Sequence, residues 1–321
     1  MFAVYAAEPN HPDPLASLRV GERPDPEASE GSVTVTVAAA SLNMHDLWTL
    51  RGVGIAPERF PMILGCDGAG TLPDGSEVVI YPVVASPGWI GDETLDPRRT
   101  LLTEKLQGSF ADTVVLPARN ALPKPASLTF TEAACMGTAW LTAYRMLFVK
   151  SGLRAGQTML VQGASGGVST ALVQLGRAAG MRVWVTGRTG EKRELACTLG
   201  AHQAFESGAR LPERVDAVFE TVGKATWSHS VKALKPGGII VCSGATSGDA
   251  DRAELQRLFF LQLRMVGSTM GTHDELRDLL SFLDITGIRP HIGAELPMSE
   301  PEQGFRAMLD GDTAGKIVFT R

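Results

Sequence analysis

Residues 158–187 read TMLVQGASGGVSTALVQLGRAAGMRVWVTG, and this stretch decides the fold. The run Thr158–Val161 predicts a strand, a glycine-rich turn follows at Gly163–Gly167, and apolar residues at helical spacing predict a helix that ends at Ala179. Arg182–Thr186 predicts a second strand. Strand, turn, helix and strand in this order are typical of a βαβ unit in a parallel sheet whose first turn binds a dinucleotide.

The glycine-rich turn is where the pyrophosphate of the cofactor is expected to bind. Glycines lack a Cβ, so the chain can turn sharply and approach a ligand closely. The pyrophosphate then meets free N–H groups at the start of the helix. Against G-x-G-x-x-G the match is partial, since Ala164 and Ser169 replace glycines, and a P-loop is excluded because no Lys-Ser/Thr pair follows. The expected contacts come from Ala164, Ser165, Gly166, Gly167 and Val168.

The end of the second predicted strand indicates which cofactor is bound. An NAD site places an Asp or Glu there to hold the ribose hydroxyls, whereas this chain has Gly187-Arg188. Arg188 can pair with a 2′-phosphate and stack on adenine, and Lys192 lies one helical turn further on. We therefore expect NADPH. The alternative is that Arg188 and Lys192 are solvated surface charges.

Composition and charge exclude several other classes of protein. The 321 residues exceed what one hydrophobic core usually holds, so two domains are expected. A formal net charge of −5 gives no broad positive field for nucleic acid or anionic lipid. No apolar run approaches the roughly 18 residues of a membrane span, and the N-terminus has no secretion pattern. The four cysteines form no C-x-x-C pair. We expect a cytoplasmic protein that binds neither nucleic acid nor membrane.

The pattern of predicted elements changes near residue 130. Before it, short β-like runs such as Ser32–Val37 and Glu77–Ile80 are separated by Pro and Gly turns, which is typical of a barrel-like domain. After it, strands alternate with helices as far as Met265-Val266-Gly267. The tail from about Asp274 is expected to hold one amphipathic helix and a closing strand at Lys316–Phe319. This tail should pack back on the first domain.

Seven segments together resemble the medium-chain dehydrogenase/reductase superfamily, and most closely its zinc-independent quinone-reductase and enoyl-reductase branches. They follow the family's order over nearly the whole chain: SLNMHDL (41–47), ILGCDGAG (63–70), GSFA (108–111), GTAWLTAY (137–144), the turn at 163–167, KPGG (235–238) and GK (315–316). The resemblance implies an α/β protein with a GroES-like catalytic domain at 1–123, a doubly wound Rossmann NADPH-binding domain at 124–270, and a segment, 271–321, that returns to the catalytic domain. It also implies a homodimer formed through the edge strand near Met265–Gly267.

The resemblance further implies a site without catalytic zinc. Zinc-dependent relatives place Cys, His and Cys around the substrate cleft, and the matching positions here are Asn43, Cys66 and Thr138. Amide and hydroxyl oxygens are poor zinc ligands, and one thiolate does not make a tetrahedral site. The stretch 81–106 also lacks the cysteines of the structural zinc lobe. Without a strong Lewis acid, the expected substrates are quinones, enones, enals and enoyl thioesters, whose hydride adducts are delocalised.

Roles for individual side chains follow from the same resemblance. Asn43 is expected to hydrogen-bond near the nicotinamide or the substrate carbonyl, and His45 is the candidate proton donor, with a structural pair to Asp46 as the alternative. Thr142 is expected behind the nicotinamide ring and Lys316 is expected to reach the cofactor or cleft. The plainer alternatives are a turn-stabilising Asn, a hydroxyl bonded to its own helix and a solvated lysine. Further cofactor contacts are expected at Thr138, Gly187, Gly244, Ala245 and Ser268.

The sequence is compatible with three functions. The first is zinc-independent transfer of hydride from NADPH to a small molecule with a conjugated carbonyl. The second is a zinc-free alcohol or aldehyde oxidoreductase in a biosynthetic pathway. The third is a non-catalytic NADPH-binding protein, which the absence of an obvious acid side chain suggests.

Overall fold

The computed structural model describes residues 1–312 and 314–321. The strands in this part of the chain are β1 Phe2–Ala6, β2 Leu18–Glu22, β3 Ser32–Ser41, β4 Met62–Ile63, β5 Ala69–Thr71, β6 Glu77–Ile80, β7 Val83–Val84, β8 Thr100–Leu101, β9 Thr113–Pro117, β10 Ala121–Pro123, β11 Thr158–Gln162, β12 Arg182–Gly187, β13 Gln203–Glu206, β14 Val215–Glu220, β15 Leu234–Cys242, β16 Arg264–Gly267, β17 Ile292–Pro297 and β18 Lys316–Thr320. The α-helices are α1 Met44–Leu50, α2 Phe130–Ala133, α3 Leu141–Tyr144, α4 Gly167–Ala178, α5 Gly190–Thr198, α6 Trp227–Ala233, α7 Leu255–Phe260, α8 His273–Thr286 and α9 Glu302–Asp310. None of the helices in the described residues combines the length and the hydropathy that crossing a membrane requires.

The chain divides into two compact units. The first consists of Met1–Leu141 with Met270–Arg321, and the second of Thr142–Thr269. The C-terminal segment therefore clusters with the N-terminal part of the chain. Residues 124–141, which the expected boundaries placed in the second domain, also cluster with the first unit because α2 packs against β3 and β5.

The first unit is built around a seven-stranded sheet in the order β10-β6-β5-β3-β18-β17, with β9 also paired to β3. Its core is apolar and partly aromatic: the rings of Phe110 and Phe319 meet edge to face with centroids 5.1 Å apart, and Phe305 stacks on Phe319. Because β18 pairs antiparallel with β3, Val318 lies opposite Ser41. This pairing brings the start of β18 next to the end of β3, although these segments are far apart in the sequence.

The second unit is a six-stranded sheet in the order β13-β12-β11-β14-β15-β16, and every neighbouring pair is parallel. This is the doubly wound order, in which the strand sequence reverses between β11 and β14. Ligands of such sheets bind beyond the carboxyl ends of the strands at that reversal. The predicted βαβ unit is confirmed as β11, α4 and β12, and the predicted fold class is confirmed with it.

The sequence patterns missed several elements in the second half of the chain. One amphipathic helix was expected in the tail, and that expectation was wrong, because α9 and β17 are also present. Gly304 makes α9 hard to predict from the sequence, because glycine lowers helix propensity. The packing requires a glycine there, since an added Cβ would lie 3.0 Å from the Phe319 ring. Strand β13 is a half-exposed edge strand, so its four residues lack an apolar run.

Candidate active site and cofactor site

A group of polar side chains, all buried except the half-buried Thr138, lies in the first unit, where β3 ends and β18 begins. Its members, Ser41, Asn43, Asp67, Thr138 and Lys316, are called the polar cluster below. The Asp67 carboxylate is at the centre and accepts hydrogen bonds from Ser41 Oγ at 2.8 Å, Asn43 Nδ2 at 2.9 Å and Thr138 Oγ1 at 2.5 Å. Its charge is balanced by the Lys316 ammonium, with Nζ 3.6 Å from Asp67 Oδ2. The Asp67 side chain is 0% exposed and that of Lys316 2%, so this is a buried ion pair.

Lys316 does not point into solvent as a strand-end lysine would. Its Nζ donates to the Leu42 carbonyl at 2.8 Å and to Asn43 Oδ1 at 2.6 Å, in addition to facing Asp67. Asp67 itself was not singled out by sequence reasoning, although it directly follows Cys66, one of the positions compared with zinc ligands. Its position next to Cys66 was the indication of its role that the sequence offered.

The amide of Asn43 has only one possible orientation in the polar cluster. Lysine has only donors, so the atom that faces Lys316 is the acceptor Oδ1. An ionised carboxylate only accepts, so the atom that faces Asp67 is Nδ2, whose other hydrogen points to the Ser41 carbonyl at 3.1 Å. Both N–H bonds of Asn43 are therefore used inside the cluster. What Asn43 and Thr138 still offer to a ligand is oxygen lone pairs, which accept hydrogen bonds.

Helix α1 follows Asn43 and carries two further titratable groups. The Asp46 carboxylate accepts from the backbone N–H of Asn43 at 2.9 Å and of Gly65 at 2.8 Å, which ties the start of α1 to the segment before Cys66. Burial raises the pKa of Asp46 to about 7, and the two backbone hydrogen bonds lower it by less. Both oxygens of Asp46 thus bind backbone N–H groups, and the described residues include no ion pair between Asp46 and His45.

His45 is placed by α1 with its Nε2 buried, and no hydrogen-bond partner for that atom is present among the described residues. Burial lowers the pKa of His45, while the negative charges of Glu104 and Asp67 and the Leu102 carbonyl act in the opposite direction. The imidazole is therefore mainly neutral at pH 7.

The positions compared with zinc ligands are all engaged in internal contacts. Asn43 and Thr138 bond to Asp67, and Cys66 Sγ donates to the Leu102 carbonyl at 3.2 Å. Burial raises the pKa of the Cys66 thiol well above its ordinary value, which keeps it protonated, whereas the thiolate is the metal-binding form. Within residues 1–312 and 314–321, His, Cys, Asp and Glu side chains form no group of three or more that could hold a metal ion.

In the second unit, the glycine-rich turn leads directly into α4. Gly163 has a φ of +86°, a left-handed conformation that favours glycine. The helix begins at Gly167, its N-cap Gly166 supplies no side-chain hydrogen bond, and its first turn has no acidic residue. By contrast, α5 and α8 are capped by the side chains of Thr189 and Thr272. The first N–H groups of α4 therefore fit an anionic ligand such as pyrophosphate.

The end of β12 is in close contact with this turn. A Cβ added to Gly187 would lie 2.8 Å from the Ala164 Cβ and 3.0 Å from the Arg193 Cγ. The exposed Arg188 follows directly. Sequence reasoning missed Arg193, whose Nη1 donates to the Gly187 carbonyl at 2.9 Å and whose Nη2 lies 3.7 Å from Glu206 Oε1. Glu206 is brought there by β13, which the sequence did not predict.

The other predicted cofactor residues follow further elements of the same sheet. Lys192 is in the first turn of α5, Gly244 and Ala245 follow β15, and Ser268 follows β16. Ser268 Oγ is buried, and no hydrogen-bond partner for it is present among the described residues, so it fits a ligand that supplies one. Thr142 is buried in α3. The carboxyl edge of one parallel sheet thus carries the turn at 163–167 and the predicted residues between 187 and 268.

Comparisons with known proteins match both units. A family model described as "Alcohol dehydrogenase GroES-like domain" matches residues 29–126, and one described as "Zinc-binding dehydrogenase" matches residues 167–284. A solved structure described as an NAD-dependent alcohol dehydrogenase superposes with a TM-score of 0.92, is 32% identical, and is matched over 100% of both chains. The chain belongs to the medium-chain dehydrogenase/reductase superfamily.

Named members of this superfamily are similar to the chain over nearly its whole length. An acryloyl-coenzyme A reductase of Sulfurisphaera tokodaii is 27% identical over 330 residues, which cover 96% of this chain and 97% of that protein. A quinone oxidoreductase of Mus musculus is 25% identical over 312 residues, which cover 92% of this chain and 90% of that protein. The family resemblance inferred from the motifs is confirmed. As a medium-chain dehydrogenase/reductase, the chain is an oxidoreductase, and a nicotinamide cofactor fits the carboxyl edge of its parallel sheet.

Proposed function

We propose that the chain is a zinc-independent, NADPH-dependent oxidoreductase that transfers hydride to a conjugated carbonyl, namely a quinone, an enone or enal, or an enoyl thioester. The observation that carries the proposal is the polar cluster, in which Asn43 and Thr138 bond to Asp67 and a lysine ammonium supplies the positive charge. The names of the two relatives, an acryloyl-coenzyme A reductase and a quinone oxidoreductase, support the substrate class.

The hydrogen bonds of the polar cluster favour substrates that are already electrophilic. A catalytic zinc ion polarises a carbonyl as a Lewis acid. Here the Lys316 ammonium donates to the Leu42 carbonyl and to Asn43 Oδ1, is paired with the Asp67 carboxylate and is only 2% exposed, and both side-chain N–H bonds of Asn43 are used. Asn43 therefore has no donor left to polarise a simple ketone or aldehyde, and Lys316 is committed to internal partners. A conjugated substrate needs less help, because its own π system delocalises the charge that hydride addition creates.

NADPH supplies the hydride from C4 of its nicotinamide ring when it is bound. The N–H groups at the start of α4 hold the pyrophosphate, and Arg188 and Lys192 hold the 2′-phosphate. In the first unit, Asn43 Oδ1 and Thr138 Oγ1 offer acceptors to hydroxyl or amide donors of a ligand, and in the second unit Ser268 Oγ takes part in binding the cofactor. His45 is the proton donor in this proposal. Because its pKa is lowered, the reaction should speed up below neutral pH, and His45→Gln should abolish that rise.

The preference for NADPH over NADH rests on the end of β12. Gly187 contributes no carboxylate to repel a 2′-phosphate, and the carboxylate of Glu206 faces Arg193. Arg188→Ala should raise the Michaelis constant for NADPH roughly tenfold or more, since hydrogen bonds to charged groups contribute about 1.5 to 3 kcal/mol. The constant for NADH should change little.

Arg182→Ala is a matched control for that measurement. Arg182 is an exposed arginine at the opposite end of β12, where it pairs with Glu213 at 2.6 Å. Its loss should leave both Michaelis constants unchanged. If Arg188→Ala also leaves the NADPH constant unchanged, the assignment to NADPH is wrong.

A second candidate function is favoured by the 32% identical solved structure, which is described as an NAD-dependent alcohol dehydrogenase. It is a zinc-free oxidoreductase of alcohols or aldehydes. The purified protein should be tested for NADPH consumption with a panel of quinones, enones and enoyl thioesters, and for NAD(P)⁺ reduction with alcohols, before and after dialysis against a chelator. Turnover only with alcohols would support the second candidate. Tight NADPH binding without any turnover would instead indicate a non-catalytic binding protein.

We further propose that the enzyme is a homodimer formed through β16. This strand ends the parallel sheet, and α7, just before it, carries three exposed apolar side chains: Leu255 at 65%, Phe259 at 71% and Phe260 at 78%. Pairing two such edges across a two-fold axis would bury them. Light scattering should show that Phe259→Ser with Phe260→Ser weakens the dimer. Ile285→Ser, an equally exposed apolar position on α8, should not.

A further inference from the structure

The ends of three neighbouring parallel strands in the second unit are joined by side-chain hydrogen bonds. Gln162 ends β11, Glu220 ends β14, and Thr186 is the last residue but one of β12. Together with Ser230 of α6 they are called the strand-end clamp. Thr186 Oγ1 donates to Gln162 Oε1 at 2.5 Å, Gln162 Nε2 to Ser230 Oγ at 2.9 Å, and Ser230 Oγ to Glu220 Oε2 at 2.6 Å. All four side chains are fully buried.

The hydrogen-bond directions in the strand-end clamp follow from the Glu220 carboxylate, which only accepts. Ser230 must donate to it, so Ser230 accepts from Gln162, and the Gln162 atom that faces Ser230 is Nε2. Gln162 Oε1 therefore faces Thr186. The second hydrogen of Nε2 points to His229 Nδ1 at 2.9 Å, and His229 Nε2 donates to the Ala209 carbonyl at 2.9 Å. Reversing any one bond would leave two donors or two acceptors facing each other.

Glu220 anchors the far end of the strand-end clamp. Besides Ser230, its carboxylate accepts from the backbone N–H of Val222 at 2.8 Å and of Gly223 at 3.1 Å, and from Thr226 Oγ1 at 2.8 Å. These bonds hold the loop after β14. A buried carboxylate with this many donors cannot shift without losing several of them, so it is a rigid point of reference for β11 and β12.

The strand-end clamp lies immediately before both loops that carry the cofactor-binding residues. Gln162 precedes the turn at 163–167, and Thr186 precedes Gly187 and Arg188. The two loops touch, since a Cβ on Gly187 would be 2.8 Å from the Ala164 Cβ. A small displacement of the end of β12 relative to β11 therefore changes the distance between the pyrophosphate site and the 2′-phosphate site.

We propose that Gln162 and Thr186 are positioning residues that set the spacing between these two sites, and so determine how well the adenosine 2′-phosphate half of NADPH is bound. The inference rests on the proposed use of NADPH. Neither side chain needs to touch the cofactor, because both act through the backbone of the loops that follow them. If the clamp only stabilised the fold, its loss would lower thermal stability without changing affinity for the cofactor.

The test measures binding to the purified full-length protein without substrate. Thr186→Val keeps the shape of the side chain and removes the hydroxyl. Dissociation constants for NADPH and for 2′,5′-ADP, measured by calorimetry, should both rise roughly tenfold, the change expected for about 1.4 kcal/mol. Thr186→Ser retains the hydroxyl and should bind both ligands like the wild type. Melting temperatures of the ligand-free proteins are recorded in parallel.

Thr158→Val is the matched control. Thr158 is also a buried threonine of this sheet, but it begins β11 and so lies at the opposite edge from the cofactor loops. Its substitution should leave both dissociation constants unchanged. If Thr186→Val does not fold, Thr186→Ala removes the same hydroxyl without placing a methyl group beside Gln162, and the same tenfold loss is expected.

The outcomes separate this inference from the proposed function. Wild-type affinity in the folded Thr186→Val or Thr186→Ala protein, with a lowered melting temperature, would make the clamp a purely structural feature and overturn the inference, while NADPH binding would stand. A wild-type protein that binds neither NADPH nor 2′,5′-ADP would overturn the proposed function and the inference that depends on it. A tenfold loss with Thr186→Val and none with Thr158→Val supports the inference.

Discussion

Replacing Lys316 with methionine tests whether the buried charge of Asp67 depends on this lysine. Methionine has a similar length and an apolar end, so Lys316→Met removes the ammonium without opening a large cavity. The substitution leaves the Asp67 carboxylate with the neutral donors of Ser41, Asn43 and Thr138. It also leaves the Leu42 carbonyl without the 2.8 Å hydrogen bond from Nζ.

The expected cost follows from the burial of the pair. Removing one partner of a buried ion pair usually costs about 3 to 5 kcal/mol, because the other charge stays buried without compensation. Since three neutral donors still face Asp67, we expect the free energy of unfolding to fall by about 4 kcal/mol, a large part of the roughly 5 to 15 kcal/mol typical of folded domains. Adding Asp67→Asn removes the second charge. The double variant should therefore be more stable than Lys316→Met alone.

Urea unfolding, followed by circular dichroism, measures these differences. Lys235→Met is the control: Lys235 Nζ lies 2.9 Å from Asp216 Oδ2, closer than in the buried pair, but its side chain is 42% exposed. Exposed ion pairs contribute about 0 to 1 kcal/mol, so this variant should lose less than about 1 kcal/mol. Two results would refute the idea that Lys316 balances the charge of Asp67. One is a loss of less than about 1 kcal/mol in Lys316→Met, as expected for an exposed ion pair, and the other is a Lys316→Met, Asp67→Asn double variant that is no more stable than Lys316→Met.

Three further predictions concern other positions. Burial raises the pKa of Asp46 from 3.8 to about 7, so the stability that this group contributes is present at low pH and is lost progressively between about pH 4 and 7. The unfolding free energy of the wild type minus that of Asp46→Asn should therefore fall between about pH 4 and 7 and level off above it, and a difference that stays flat over this range would contradict the raised pKa. Gly187→Asp places a Cβ 2.8 Å from the Ala164 Cβ and a carboxylate beside the proposed 2′-phosphate site, so calorimetry should show NADPH binding weakened about tenfold or more. Unchanged affinity for NADPH would count against this site. Gly65→Ala should lower the free energy of unfolding by about 3 kcal/mol or more in urea titrations, because φ is +99° and the new Cβ would lie 2.8 Å from a backbone nitrogen. At Gly75, φ is +86° but the surroundings are open, so alanine should cost only about 1 kcal/mol. Equal losses at the two positions would contradict the packing argument.

The sequence alone was enough to determine the fold class and the location of the glycine-rich turn between β11 and α4. Both depend on local rules: the apolar spacing of β11 and α4, and the glycines that let the chain turn between them. The family motifs extended this to the whole chain. They also assigned Asn43, Thr138 and Lys316 to contacts with the cofactor or substrate, but they did not predict that these side chains bond to Asp67 and to one another.

The tertiary structure decided what those side chains can do. Asn43 and Lys316 are 273 residues apart, and only the pairing of β18 with β3 brings them together. No local pattern encodes that the amide of Asn43 is held as an acceptor, because its orientation depends on a lysine and a carboxylate from distant segments. The same holds for Gln162 and Thr186, which lie near the carboxyl ends of different strands and meet only because parallel strands present those ends at one edge. Spacing along the chain determines which element forms, whereas the direction of each buried hydrogen bond is set by groups that the sequence separates and the fold joins.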